Sequence, residues 1–142
     1  WRLPGETAAA ARSGRHHTGD LGRLDEEGFL WYAGRKPEKE LIKTGGENVY
    51  PAEVEKAILA HGALAEACVF GVPDPEWGEA VQAVCVIAEG GRVSAGELGD
   101  FVAARIARYK KPKHVIFVAA LPKTPAGTID REAVKATWGR KC

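Results

Sequence analysis

Two apolar, β-branched runs, residues 64–72 and 80–88, flank the hexapeptide Pro73-Asp74-Pro75-Glu76-Trp77-Gly78. Proline lacks the N–H that an interior strand must donate, and a segment with two prolines and a glycine continues neither run. The chain therefore turns here, and the two runs are expected as adjacent strands of one sheet. Neither run approaches the ~20 apolar residues that a membrane-spanning helix requires.

Helical spacing fills the flanks of this pair. Pro51 stands where a first helical position favours proline, and Val54, Ile58 and Leu59 recur at helical intervals until Gly62, which predicts a helix with one buried face. Ser94 followed by Glu97 forms a capping box, and Leu98, Phe101, Val102 and Ile106 give an apolar stripe predicted to run to about Tyr109. Residues 114–118 read as another apolar strand and residues 122–127 as a turn-rich loop, after which Asp130 caps a last helix carrying Ala133 and Val134. The order α, β, β, α, β, α predicts an α+β domain of about 100 residues, a small mixed or antiparallel sheet covered by helices.

The first 34 residues stand outside that pattern. Residues 4–14 begin at Pro4 and stop at Gly14, which suits a short helix, while residues 20–23 and 29–33 flank Asp25-Glu26-Glu27-Gly28 as a β-hairpin. Its aromatic residues, Phe29, Trp31 and Tyr32, need a partner surface. The expected division is residues 1–34 and residues 35–142.

With 20 basic and 19 acidic residues the formal net charge is +1, so no global field favours a polynucleotide, and electrostatic function must be local. Cys68 and Cys85 lie in the apolar runs, where free cysteine behaves as a small hydrophobe, which suggests a reduced, cytoplasmic protein. The start lacks the apolar stretch of a signal peptide, and the absence of methionine, together with the modest length, suggests a portion of a longer chain. His16 and His17 lack the accompanying ligands of a metal site.

Local charge is concentrated in residues 34–55. Arg35, Lys36, Lys39 and Lys43 supply four cations ahead of a bare Gly45-Gly46 pair and a proline-started helix. Paired glycines let a backbone approach a ligand closely or take φ > 0, so the segment suits a phosphate or pyrophosphate. Upstream, Thr18-Gly19-Asp20 places a carboxylate at the head of a strand, where it can accept two hydrogen bonds from a ribose diol. Trp77 reads as an aromatic cap over the core, and Tyr109-Lys110-Lys111-Pro112 as lysines drawn to a helix C-terminus, with contact to nucleotide phosphates as the alternative.

The pieces have a recognisable order: His17-Thr18-Gly19-Asp20, Gly28-Phe29-Leu30, Gly34-Arg35, Leu41-Ile42-Lys43, Gly45-Gly46-Glu47-Asn48-Val49-Tyr50-Pro51, Gly71-Val72-Pro73-Asp74, Trp77-Gly78-Glu79 and Leu121-Pro122-Lys123-Thr124-Pro125-Ala126-Gly127. Effectively the whole chain resembles the C-terminal portion of the adenylate-forming superfamily: acyl-CoA synthetases, peptide-synthetase adenylation domains and luciferases. The resemblance implies a mobile C-terminal lid preceded by the tail of a larger domain that holds ATP and the carboxylic acid. It implies an AMP-forming acid:CoA ligase that is inactive as this piece alone. ATP and CoA are then the implied cosubstrates, with magnesium accompanying ATP and no ligand for it visible in the sequence. Loading of a carrier protein, or a silent binding module with the lid fold, are the alternatives.

By the same resemblance Asp20 and Arg35 would hold the nucleotide, Lys36 or Lys39 would be the hinge, and Gly45 and Gly46 would line the path of the CoA thiol arm. Lys43, Lys123 and Thr128 are the candidate catalytic positions. Members of this superfamily typically carry lysine where this chain has Thr128, and that ammonium stabilises charge developing during adenylation. Threonine has neither the charge nor the reach, which leaves three explanations: another cation such as Lys123 is recruited, the lid is specialised for the thioester step, or the enzyme adenylates poorly.

Overall fold

The computed structural model describes residues 3–35 and 40–139. The chain divides into two compact units, Trp1–Glu40 and Leu41–Cys142. The sequence boundary expected at residues 34 and 35 falls within a strand of the first unit. The hinge candidates Lys36 and Lys39 lie outside the described residues.

In the first unit, helix α1 (Pro4–Ala10) starts on proline at its first turn. It stops at Ala10, short of the expected residue 14: Ala11 leaves the helical region with φ of −112°, and Ser13 takes a left-handed φ of 57° in the short 3-10 turn Arg12–Gly14 that follows. Strands β1 (Asp20–Leu24) and β2 (Leu30–Arg35) pair antiparallel, with a bulge between Leu21 and Gly22. Asp25 closes the turn: Oδ1 accepts from the backbone N–H groups of Glu27 and Phe29, and Oδ2 accepts from Trp31 Nε1 at 2.6 Å. The indole donation, followed by the Phe29 amide, holds the Asp25 carboxyl below its ordinary pKa.

The second unit is an α+β domain. Strands β3 (Ile42–Thr44) and β4 (Glu47–Val49) form a tight hairpin, and β5 (Leu64–Asp74) and β6 (Gly78–Ile87) form the long one read from the sequence. Strand β7 (His114–Val118) runs parallel to β6, so the five-stranded sheet is mixed. Helix α2 (Pro51–Leu59) and helix α3 (Ala95–Ala103) pack Val54, Ile58, Leu98 and Val102 on one sheet face against Val69, Val81 and Cys85. Helix α4 (Arg131–Trp138) packs Val134 and Trp138 on the other, over Cys68, Phe70, Val72 and Val84. Both faces of β5 and β6 are covered, which is why these strands read as continuous apolar runs rather than alternating ones. Each large side chain buried this way contributes about 1.5–3 kcal/mol.

Two features stood beyond sequence reach. Helix α3 ends at Ala103 instead of near Tyr109, and Arg108–Lys110 forms a separate 3-10 turn. Ile106 still packs against the core, so the apolar stripe continued after the helix had stopped. At β5, the N–H of Val69 donates to Glu55 Oε1 at 2.8 Å, and its carbonyl accepts from Arg131 Nη2. Arg131 Nη1 reaches the same Glu55 oxygen at 2.6 Å. The ion pair thus substitutes for a neighbouring strand at one residue of the edge and shields it from foreign pairing.

Candidate functional site

Gly45 and Gly46 are the two-residue turn between β3 and β4, with φ of 56° and 84°. Positive φ at both central positions defines a type I′ turn, whose twist matches that of the strands it joins. Thr44 pairs with Glu47, and Ile42 with Val49, both of the latter buried in the core. Lys43 lies on the opposite strand face, exposed, with its backbone N–H donating to Glu79 Oε2 at 2.7 Å.

The turn bears against Trp77. Gly45 N–H donates to the Trp77 carbonyl at 2.9 Å, and a Cβ added at Gly45 would lie 2.8 Å from Cζ3 of the indole. A Cβ at Gly46 would meet nothing within 4 Å. Trp77 is 48% exposed, so it covers the glycine turn and leaves half its surface open instead of capping the core as the sequence suggested.

Beside this contact lies a cleft of about 190 Å³, walled by Thr44, Gly45, Trp77, Tyr109, Lys111 and Lys113, with Ala80 and Val81 beneath and Glu47 at its acidic side. Two half-exposed aromatic side chains and two ammonium groups around bare backbone suit a flat heterocycle bearing phosphates. The lysines are placed by carboxylates. Lys113 Nζ donates to Asp74 Oδ2 at 2.7 Å, and Lys111 Nζ to Asp100 Oδ1 at 3.0 Å. Gly99, in the middle of α3, leaves room for the Lys111 stem, as a Cβ there would stand 3.0 Å from Lys111 Cε. Lys110 is committed elsewhere: its ammonium contacts both Glu53 oxygens at 2.8 and 2.7 Å, a hydrogen bond that raises its pKa. These partners, and the early end of α3, replace the helix-dipole reading of residues 109–112.

The remaining candidates fall into two other places. Lys123 and Thr128 share a small loop in which Lys123 bridges Ile129, Thr124 N–H donates to the Thr128 carbonyl at 2.8 Å, and the two threonine hydroxyls lie 2.8 Å apart. Lys123 Nζ sits 2.5 Å from Glu66 Oε1. In the first unit, Asp20 and Arg35 stand opposite each other in the β1–β2 register, a pairing that their 15-position separation concealed. Asp20 lines a recess with Thr18, Trp31 and Tyr32, and its N–H donates to Thr18 Oγ1 at 3.1 Å. Among the described residues no group of three or more His, Cys, Asp and Glu could hold a metal ion, His16 and His17 included.

Residues 53–128, more than half of the chain, match the family model described as the AMP-binding enzyme C-terminal domain. The chain belongs to this family. It is 43% identical over 141 residues to the indoleacetate–CoA ligase of Aromatoleum aromaticum, covering 99% of this chain and 27% of that protein. It is 47% identical over 131 residues to a long-chain-fatty-acid–CoA ligase of Bacillus subtilis, covering 92% and 23% respectively. Among solved structures, the o-succinylbenzoate CoA synthetase of Bacillus subtilis, bound to a product analogue, matches with a TM-score of 0.81 and 41% identity over 95% of this chain and 27% of that one. The chain thus spans about a quarter of the length of these relatives, and the resemblance to the C-terminal portion of adenylate-forming enzymes is shown.

Sequence reasoning had found the glycine turn and, as an alternative, residues 109–112 as a contact for nucleotide phosphates; it missed Asp74 and Lys113 and read Trp77 as a cap over the core. Asp74, Trp77, Tyr109, Lys111 and Lys113 are spread over 40 residues and meet only because β5, β6 and the 3-10 turn fold together. The signal for the aromatic wall was the tryptophan inside a proline-bearing turn, a costly place for so large a side chain unless it has a surface to cover.

Proposed function

We propose that this chain is the C-terminal part of an AMP-forming carboxylate:CoA ligase, with residues 1–34 the tail of the larger domain and residues 35–142 the lid. The reaction has two steps. A carboxylate attacks the α-phosphate of ATP, giving acyl-adenylate and pyrophosphate; the CoA thiolate then attacks the acyl carbon and AMP leaves. The single observation that carries the reading is the cleft beside Gly45, where Trp77 and Tyr109 offer aromatic surface and Lys111 and Lys113 offer charge to an adenosine phosphate. Gly45 and Gly46 present backbone along which a thin thiol arm passes. Such a cleft favours CoA over a carrier protein, whose phosphopantetheine arm lacks the adenosine. Titrating the chain with CoA and with pantetheine tests this: CoA binds at least about tenfold more tightly if the nucleotide is held, and equal affinities would transfer the proposal to carrier loading.

Asp20 suits the ribose diol of ATP, and Arg35, opposite it, the nucleotide phosphates. Lys36 or Lys39 serves as the pivot. Magnesium would arrive with ATP; among the described residues no group of three or more His, Cys, Asp and Glu is placed to hold it. Lys43 and Lys123 are the remaining catalytic cations, and the compartment that suits two buried free thiols is the reducing cytoplasm.

Thr128 sets the pace of the first step. Without an ammonium at that position adenylation loses roughly 10² in rate, unless Lys123 leaves Glu66 to supply the charge. In the complete protein, Thr128→Lys therefore raises carboxylate-dependent pyrophosphate exchange, and Lys123→Gln lowers it. An exchange rate indifferent to both would remove the loop from the mechanism. This chain alone forms no acyl-CoA; its doing so would overturn the division of labour.

A further inference from the structure

Among the described residues of the second unit Asp74 is the one carboxylate that is almost fully buried, with its side chain 5% exposed, and both of its oxygens are in use. Oδ1 accepts from the backbone N–H groups of Glu76 at 3.1 Å and Trp77 at 3.0 Å, which fixes the turn between β5 and β6. Oδ2 accepts from Lys113 Nζ at 2.7 Å. Trp77 in turn receives the Gly45 N–H on its carbonyl, and Lys113 is anchored to β6 by its own N–H on the Val81 carbonyl at 2.8 Å. One carboxylate therefore connects the aromatic wall, the cationic wall and, through Trp77, the glycine turn of the same cleft.

We propose that Asp74 is the positioning residue of this cleft, holding the Trp77 indole and the Lys113 ammonium at a fixed separation so that one ligand meets a flat surface and a positive charge together. The proposal rests on the CoA reading for the identity of that ligand, and on geometry alone for the role of Asp74. Lys113 is 46% exposed and uses one of its three donors on Asp74, which leaves two for a ligand phosphate. A lysine released from its carboxylate regains wide rotamer freedom, and in solvent the gain from removing one nearby anion is smaller than that loss of order.

The two natural substitutions separate the two oxygens. Asp74→Asn keeps a neutral acceptor for the Trp77 turn and gives up the charged hold on Lys113, whereas Asp74→Ala gives up both. The experiment measures CoA and adenosine 3′,5′-bisphosphate binding to the chain by calorimetry. It is paired with amide hydrogen exchange at Gly45 and along the β5–β6 ladder. Binding is expected to weaken about threefold in Asp74→Asn and at least about tenfold in Asp74→Ala. Gly45 exchange should stay slow in the first variant and quicken in the second, with the β5–β6 amides protected in both. Wild-type affinity in both variants overturns the proposal, as does a loss of binding that goes with exchange quickening throughout the sheet. If the wild-type chain binds neither probe, the CoA reading falls, and Gly45 exchange in Asp74→Ala still decides the role of Asp74: quickened with the β5–β6 amides still protected upholds it, while unchanged exchange or quickening throughout the sheet sinks it.

Discussion

Adding one methyl group at Gly45 and one at Gly46 makes a controlled comparison, because the two positions share a backbone conformation and differ in their neighbours. Both have positive φ, where an L side chain costs about 1–2 kcal/mol. Gly46→Ala should cost that amount and no more, since its Cβ enters open space. Gly45→Ala must also displace the indole of Trp77, whose ring carbon Cζ3 lies 2.8 Å from the new atom, well inside contact distance. Overpacking of this kind adds about 1–3 kcal/mol, for a total of about 2–5 kcal/mol. The indole cannot simply retreat with its backbone, because Asp74 holds the Trp77 N–H and Gly45 itself holds the Trp77 carbonyl. Urea unfolding followed by circular dichroism reads the difference as a midpoint shift at constant slope. The decisive arm is a double-mutant cycle with Trp77→Ala, which removes the obstacle: the pair should be more stable than the sum of the single changes by about 1–3 kcal/mol. Equal costs at Gly45 and Gly46, or additivity within about 0.5 kcal/mol, would refute the idea that the glycine at position 45 exists to seat the tryptophan.

Other expectations follow from the same geometry. Arg131→Ala leaves Glu55 and the Val69 carbonyl without their partner at the sheet edge and should cost about 2–4 kcal/mol in urea unfolding, at the low end for a buried pair because each side chain keeps 19% exposure; Glu55→Gln, which retains an acceptor for the Val69 N–H, should cost less. Ser94→Ala removes one half of the capping box of α3 and should lower stability by about 0.5–2 kcal/mol, with accelerated exchange confined to the first turn. Hydrogen bonds from Ser94 hold the Glu97 carboxyl below its ordinary pKa of 4.5, so its contribution is complete above that value and disappears as pH falls through the folded pKa, which a low-pH stability titration detects. Burial pushes the Cys85 thiol up to about 12 from an ordinary value of 9.0. The unfolded chain therefore loses this proton first on raising the pH, and stability should fall by up to about 1.4 kcal/mol per unit between those values, an effect that Cys85→Ala abolishes. At pH 8 neither Cys68 nor Cys85 should take up iodoacetamide without unfolding, as resolved by peptide mass spectrometry.

Chemistry carried by neighbouring residues was readable in one dimension. Pro51 starting a helix, Ser94 with Glu97 capping another, Asp130 capping a third and the Pro73–Gly78 break between two apolar runs each depend on atoms a few positions apart, so their spacing in sequence is their spacing in space. The glycine pair was legible as a place of unusual backbone, and the order of motifs was sufficient to name the superfamily. The β3–β4 hairpin was overlooked because strands of three residues carry too little pattern to announce themselves, even with a two-glycine turn between them.

What folding alone decided was which distant groups meet. Cys68 and Cys85 lie in neighbouring strands yet pack into different cores, one on each face of the sheet, because successive strand residues point to opposite sides. Lys110, Lys111 and Lys113 look interchangeable in sequence, but their partners Glu53, Asp100 and Asp74 lie on three different elements and send one lysine away and two into the cleft. Lys123 was a free cation on paper and is an ion-paired one in the fold. Charge, exposure and burial are properties of a local sequence only until long-range contacts assign each group a partner, and a binding cleft is made almost entirely of such assignments.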